Sequence, residues 1–303
     1  MSTTVTIDSI SQVHEALGLA KPKHPLISVV HSEDIETMTT YTNVRIVNNL
    51  YQVAFKETFD GSLRYGRNSY DFQEGSLVCT APGQVVQYDG NEEVELTVEG
   101  WSLIFHPDLF RKSDLANKID NYGFFDYASN EALHLSNDER VHLEALLDKI
   151  VSEYSQNLDR HSLHLINSTI EMLLDYCLRY YDRQFFTRTD LNKDVISKFE
   201  RTLKAYYQKS KEHDLGVPTL PYCANELNLS PTYLSDLLKK ETGKSAQEHI
   251  HLFIIDKAKT RLLNTGHTVS EIAYGLGFDY PQHFSTLFKS KTGISPSEFR
   301  NVN

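Results

Sequence analysis

Residues 268–300 read TVSEIAYGLGFDYPQHFSTLFKSKTGISPSEFR. Thr268 is a residue type that caps helices, and Val269, Ile272 and Ala273 fall on one side of a helix running through Tyr274. Gly275 and Gly277 then offer the positive φ that a sharp turn needs. Phe278 plugs the corner. Proline fits only the first turn of a helix, so Pro281 marks the start of a second one, with Phe284, Leu287 and Phe288 inward. Gly293 ends it as a C-terminal glycine. The stretch predicts two short helices joined by a tight turn, a helix-turn-helix.

The same unit occurs once more upstream. Ser235, Leu237, Lys239, Thr242, Gly243 and Ser245 recur at an offset of 50 as Ser285, Leu287, Lys289, Thr292, Gly293 and Ser295, and Pro231 recurs as Pro281. Further upstream the offset is 49, pairing Ala224 with Ala273 and Leu227 with Leu276, so the second copy holds one extra residue between Phe278 and Pro281. In the first copy Asn228 stands in place of Gly277, and asparagine is the next most tolerant residue for a left-handed turn. Ser230 caps, Pro231 follows, and Leu234, Leu237 and Leu238 face inward. Ala224 and Ala273 are small where two helices cross closely. Two copies are too few for a solenoid and read as a duplicated small module. With turn residue and proline in register in both, the pattern points to DNA recognition rather than a generic helical bundle.

The remainder of the 303 residues divides by composition. The chain carries 30 Lys+Arg and 41 Asp+Glu, net −11, which argues against a nonspecific nucleic-acid coat. From Lys193 onward there are 15 basic and 12 acidic residues, whereas residues 1–192 have 15 and 29. The acid surplus is confined to the first two-thirds, which leaves a C-terminal DNA-binding module possible. Hydrophobic residues at 40% supply a core for two domains. Cys79, Cys177 and Cys223 are few, odd in number and far apart, the pattern of buried thiols in a reducing compartment. With no signal-peptide pattern and no long apolar run, a cytoplasmic protein with no membrane partner is expected.

Within the N-terminal part, Leu26–Val30, Leu50–Lys56, Ser76–Cys79, Gln84–Tyr88, Val94–Thr97 and Trp101–Phe105 read as short strands separated by turn clusters. That spacing suggests a barrel or sandwich over about 25–105. Helices follow over about 106–184: a short one after His106-Pro107, then one opened by the capping box Ser136-Asn-Asp-Glu139 with Leu143, Leu146, Leu147, Ile150 and Tyr154 on one stripe. The next carries Leu163, Ile166, Ile170, Leu173, Leu174, Cys177 and Tyr181. These helices either pack on the strands or form a dimer interface. The fold class is α+β in two domains, with residues 1–186, a polar linker at 187–193, and an all-α region at 194–303.

The C-terminal residues resemble the AraC family of bacterial transcription regulators. Ser230-Pro-Thr-Tyr-Leu-Ser with Lys239-Lys-Glu-Thr-Gly looks like the first helix-turn-helix of that family. Ser270-Glu-Ile-Ala, Gly277-Phe, His283-Phe-Ser and Phe288-Lys-Ser-Lys-Thr-Gly-Ile-Ser-Pro-Ser-Glu-Phe-Arg300 look like its second motif and signature. Ile255 to Leu263 looks like the connecting helix, although Ile254 stands where the family often has arginine. The resemblance covers roughly Val195 to Arg300. It implies a transcription regulator bound to double-stranded operator DNA, commonly as a homodimer and acting with RNA polymerase. The N-terminal strands and trailing helices are similar to the cupin-like β-barrel sensor domain of many members, which implies a small-molecule effector.

Recognition helices present their N-terminal and outward residues to the major groove. Here those are Thr232, Tyr233, Ser235, Asp236 and Lys239 in the first helix, and Gln282, His283, Ser285, Thr286 and Lys289 in the second. Lys240, Lys244 and Lys291 suit phosphate contacts. Two motifs on one helix predict a site read in two segments roughly 34 Å apart. In the N-terminal domain, Tyr51, Phe55, Tyr65, Arg67, Tyr70, Phe72 and Trp101 are candidates to line a ligand site, and the acidic charge disfavours polyanionic effectors. No metal or cofactor is expected. His249 and His251 sit at i, i+2, where helical side chains diverge, and no nucleophile elbow, phosphate loop or dinucleotide fingerprint is present. The protein is therefore not expected to be an enzyme. The competing reading is a cupin-like enzyme or small-molecule-binding protein whose helical hairpins do not bind DNA.

Overall fold

The computed structural model describes residues 3–35, 44–57, 75–88, 100–128, 131–187 and 189–302. The chain divides into two units, Met1–Gln184 and Phe185–Asn303.

In the first unit, β1 (Thr3–Ile7) and α1 (Ile10–Ala16) precede β2 (Ile27–His31), β3 (Val44–Asn48), β4 (Tyr51–Lys56), β5 (Ser76–Thr80), β6 (Gln84–Tyr88), β7 (Gly100–Phe105) and β8 (Leu133–His134). Five strands match the sequence reading to within one residue at each end, while β1, β3, β8 and α1 were not foreseen. The strand expected at Val94–Thr97 lies outside the described residues. The strands form two sheets, ordered β1-β3-β6 and β2-β7-β4-β5-β8. Among the described residues only β1 and β3 pair in parallel. Among the described residues the sheets do not close into the expected barrel, because β1 and β6 edge one and β2 and β8 edge the other. A small core of Ile10, Val13, Val30, Leu50 and Ile104 ties α1 to strands of the larger sheet.

The larger sheet has two unlike faces. The β4–β7 register sets Val53 beside Leu103 and Phe55 beside Trp101, and the β4–β5 register adds Cys79 and Leu77. Alternation puts all six on one face, and all are buried. Helix α2 (Leu115–Lys118) lies between β7 and β8, and α3 (Asn137–Ser155) and α4 (Ser162–Thr187) follow β8. The hydroxyl of Tyr154 on α3 accepts from Val29 N–H at 3.2 Å, and Arg140 pairs with Glu57. Burial and the nearby Cys177 of α4 push the Cys79 thiol well up, so both cysteines are inert core residues. The capping box at Ser136 and Glu139 forms as expected. The α4 stripe is buried from Ile166 to Tyr181, but Leu163 in the first turn is 45% exposed.

The second unit is helical: α5 (Thr189–Gln208), α6 (Glu212–Leu215), α7 (Leu220–Glu226), α8 (Pro231–Thr242), α9 (Ala246–Asn264), α10 (Val269–Tyr274), α11 (Pro281–Thr292) and α12 (Pro296–Val302). The stretch 187–193, expected as a linker, holds the last residue of α4 and the first turn of α5. One core joins Phe199, Leu203 and Tyr206 of α5 to Leu234 and Leu238 of α8, to Ile250, Ile254, Ile255, Ala258 and Leu262 of α9, and to Phe284 and Phe288 of α11. Helix α9 packs against α8 as well as α10, α11 and α12.

The two turns differ in what they demand. Asn228 adopts φ 56° and Gly277 φ 91°, as the repeat predicted. Gly275 corrects the reading, since its φ is −68°. Glycine suits that position for space: a Cβ there would lie 2.7 Å from the Arg261 guanidinium, which donates to Gly275 O. At Gly277 a Cβ would lie 2.5 Å from the Gly216 carbonyl carbon, so backbone meets backbone. Gly243 and Gly293 terminate α8 and α11 in the left-handed conformation, with open space around each. Gly243→Ala therefore meets only backbone strain, about 1 kcal/mol. Gly277→Ala adds a clash and should cost at least about 2 kcal/mol. Thermal unfolding of the full chain, followed by its helical signal, measures both; equal losses would mean the close approach is not what requires glycine at 277.

Candidate nucleic-acid interface

The two recognition helices share a first-turn proline and a terminal glycine, and only α8 has a side-chain cap. At α8 the Ser230 hydroxyl accepts from Tyr233 N–H at 3.2 Å, Pro231 occupies the first turn, and Gly243 N–H closes the end on Lys239 O. At α11 Pro281 again opens the helix and Gly293 N–H bonds Lys289 O. Preceding them, α7 is capped by Thr219 and α10 by the reciprocal Thr268–Glu271 box. Thr268 N–H and its hydroxyl both donate to the Glu271 carboxylate, which these bonds and the neighbouring His267 hold below the usual carboxylate range. Ala224 and Ala273 are fully buried, as expected of a close helix crossing.

The expected contact residues fall into three groups. Lys239, Lys240, Lys244, Gln282, His283, Thr286, Lys289 and Lys291 are exposed. Thr232, Ser235, Asp236 and Ser285 are half-buried, and the Ser285 hydroxyl donates to Pro281 O within its own helix at 3.0 Å. Tyr233 corrects the reading. It is buried, and its ring lies 5.2 Å from that of Phe185. Position 233 falls on the inward stripe with Leu234, Leu237 and Leu238, where an aromatic serves as core.

Lys291 is not an isolated cation, because Glu248 on the first turn of α9 lies 3.6 Å from its ammonium. Forty-three positions separate the pair, so no local spacing could have revealed it. On the side of α8, Thr242 and His249 share a hydrogen bond of 2.7 Å. Burial and nearby Lys244 lower the His249 pKa, so the imidazole is neutral at pH 7. Ile254, where the resembled family often has arginine, is wholly buried and offers nothing to a phosphate. Arg300 of the signature instead closes the far end of α9, donating to Leu262 O at 3.1 Å and His267 O at 2.6 Å.

The ligand candidates of the first unit are placed differently. Tyr65, Arg67, Tyr70 and Phe72 lie outside the described residues. Tyr51 packs among Phe105, Phe110 and Phe125 with centroids 5.0–5.6 Å apart, and Phe55 stacks on Trp101 at 5.7 Å. These are positions in the apolar packing of one sheet face. The Trp101 indole N–H is buried there without a hydrogen-bond partner among the described residues. The opposite face carries Gln52, Ala54, Lys56, Val78, Thr80 and Ser102, all half-buried, beside the buried Val30, Ser76 and Ile104, with Gln52 donating to the Ser102 hydroxyl at 3.2 Å. Burial pulls the Lys56 ammonium below its usual pKa. Among the described residues no cluster of three or more His, Cys, Asp or Glu side chains could hold a metal ion, and no helix is long and apolar enough to cross a membrane.

The second unit holds two helix-turn-helix hairpins on one shared helix, each ending in exposed lysines. Residues 223–301 match the family model of a helix-turn-helix domain. The chain is 38% identical over 92 residues to the transcriptional regulatory protein YesN of Bacillus subtilis, and 38% identical over 77 residues to the HTH-type transcriptional activator RhaS of Salmonella arizonae. Those alignments cover 29% and 25% of this chain, which spans only 25% and 28% of the two relatives. Among solved structures, the C-terminal domain of AraT, a response regulator from Geobacillus stearothermophilus, is 34% identical, with a TM-score of 0.31 over 35% of this chain and 85% of that one. The C-terminal region of the chain is a helix-turn-helix domain, the kind that its AraC-like signature residues implied.

The Lys291–Glu248 pair gives this surface a measurable property. Binding to a phosphate must compete with the carboxylate. Glu248→Gln is expected to tighten DNA binding about two- to fivefold, the scale of an exposed ion pair, and to steepen the salt dependence. Titration of labelled DNA at several salt concentrations tests this; an unchanged slope would remove Lys291 from the phosphate contacts.

Proposed function

We propose that this protein is a one-component transcription regulator. It binds double-stranded operator DNA through α8 and α11, and its first unit senses a small molecule. The observation that carries the reading is the duplication: two hairpins with left-handed turn residues at Asn228 and Gly277 and matched helix ends at Gly243 and Gly293. A single hairpin is a common packing motif, but two in register on one helix form a reader of successive major-groove segments. The names of YesN and RhaS, both transcription regulators, support the same class.

Gln282 reads a base edge, adenine being its bidentate partner, and Lys239 and Lys289 contact guanine or phosphate. The linked residues Lys240, Lys244 and Lys291 anchor the backbone of the duplex. The first unit presents the half-buried polar side chains Gln52, Lys56, Thr80 and Ser102 to a polar effector, rather than the packed aromatics. The protein works in the cytoplasm as a homodimer with RNA polymerase and performs no catalysis.

Selection of bound sequences from a random DNA pool, with the full chain at moderate salt, tests the reading. An enriched site in two segments about one helical turn apart supports it. Failure to enrich any sequence rejects it. On the selected site, Gln282→Ala should cost about 1–3 kcal/mol and relax preference at one base pair. A variant that binds every sequence as the parent does would show that the recognition face has been assigned wrongly.

A further inference from the structure

We propose that Tyr280, with His283 beside it, is a DNA-contacting residue of the second hairpin, its phenol donating to a phosphate oxygen at the edge of the groove. This rests on the DNA-binding reading above.

The second copy breaks a local rule that the other hairpin helices keep. In the first copy Ser230 caps α8 through its hydroxyl, and Thr219, Ser245 and Thr268 do the same for α7, α9 and α10. The residue 50 positions after Ser230 is Tyr280, the N-cap of α11, and its side chain makes no capping bond. Tyrosine cannot fold back on the N2 or N3 amide as serine does, so the helix forgoes a bond available to every neighbouring hairpin helix. Such a departure in an otherwise consistent element points to function.

Its surroundings agree. Tyr280 is 57% exposed, although aromatic residues of this unit are mostly core. Its hydroxyl has no hydrogen-bond partner among the described residues. The ring meets the His283 imidazole edge-on, with centroids 5.4 Å apart and an interplanar angle of 65°. His283 N–H also donates to Tyr280 O at 3.0 Å. His283 is exposed in the first turn of α11, the end that a recognition helix inserts into the major groove. Tyrosine is among the side chains that position proteins on phosphate oxygens. The residue thus has a donor for the backbone and a ring that orients the imidazole toward base edges. A packing role alone would leave neither the exposure nor the missing cap explained.

The two roles predict opposite results for Tyr280→Ser, which restores the cap found in the first copy. The measurements are the melting temperature and the dissociation constant for the site that the parent protein selects from a random pool. A DNA contact predicts an equal or higher melting temperature together with binding about tenfold weaker, equivalent to about 1.4 kcal/mol. Binding within twofold of the parent overturns the proposal. Tyr280→Phe keeps the ring and removes only the donor, so it decides the matter even if the serine variant folds poorly. It should weaken every sequence variant by the same factor, and parental affinity would overturn the phosphate contact. A parent protein that selects no sequence overturns the DNA reading itself, a failure visible before any variant is made.

Discussion

The second unit depends on the burial of α9. Ile250, Ile254, Ile255, Ala258 and Leu262 cover roughly half its circumference, and two separate hairpins close over that surface. The helix must satisfy both partners at once, which leaves little of it free for ligands or charge. Its ends are tied by polar bonds that cost no core volume: Ser245 caps the start and Arg300 binds carbonyls at the finish. With the helix fixed, the directions of α8 and α11 are fixed as well. Spacing between α8 and α11 is then a property of one rigid rod, and under the proposed function no flexible connection has to be ordered on binding.

Much of this was legible because it is written in short-range chemistry. Capping hydroxyls, first-turn prolines and terminal glycines act within four residues, so Ser230, Pro231, Gly243, Thr268, Pro281 and Gly293 carry their meaning in sequence. Asn228 could be read as left-handed because its partner in the repeat is glycine. The errors lie where identity is shared between two physical causes. Gly275 looked like a turn residue and instead makes room for Arg261. Tyr233 looked like a groove residue and instead packs on Phe185. In both cases the deciding neighbour is remote in sequence.

The N-terminal unit was less legible for a related reason. Strands β1 and β3 pair across 41 positions in the register of Thr3 with Val44, and neither announces itself by hydrophobic length. Aromatic richness was a poor guide to a binding surface, since Tyr51, Phe55 and Trp101 fill the covered face of their sheet. The other face mixes Gln52, Lys56, Thr80 and Ser102 with Val30, Val78 and Ile104, a combination that no composition signal marks. Only strand register, which assigns each residue to a side, separates the two.

The unequal turns bear on how such a protein changes over generations. Duplication begins with two identical copies under identical constraint. Here the first copy carries a full side chain at its corner, whereas the second has backbone pressed against Gly216 and Val217 at the same point. Drift can still explore the first corner, while the second has a single permitted residue. Two copies of one module thus carry unequal tolerance at the same corner, one open to a side chain and the other closed to it.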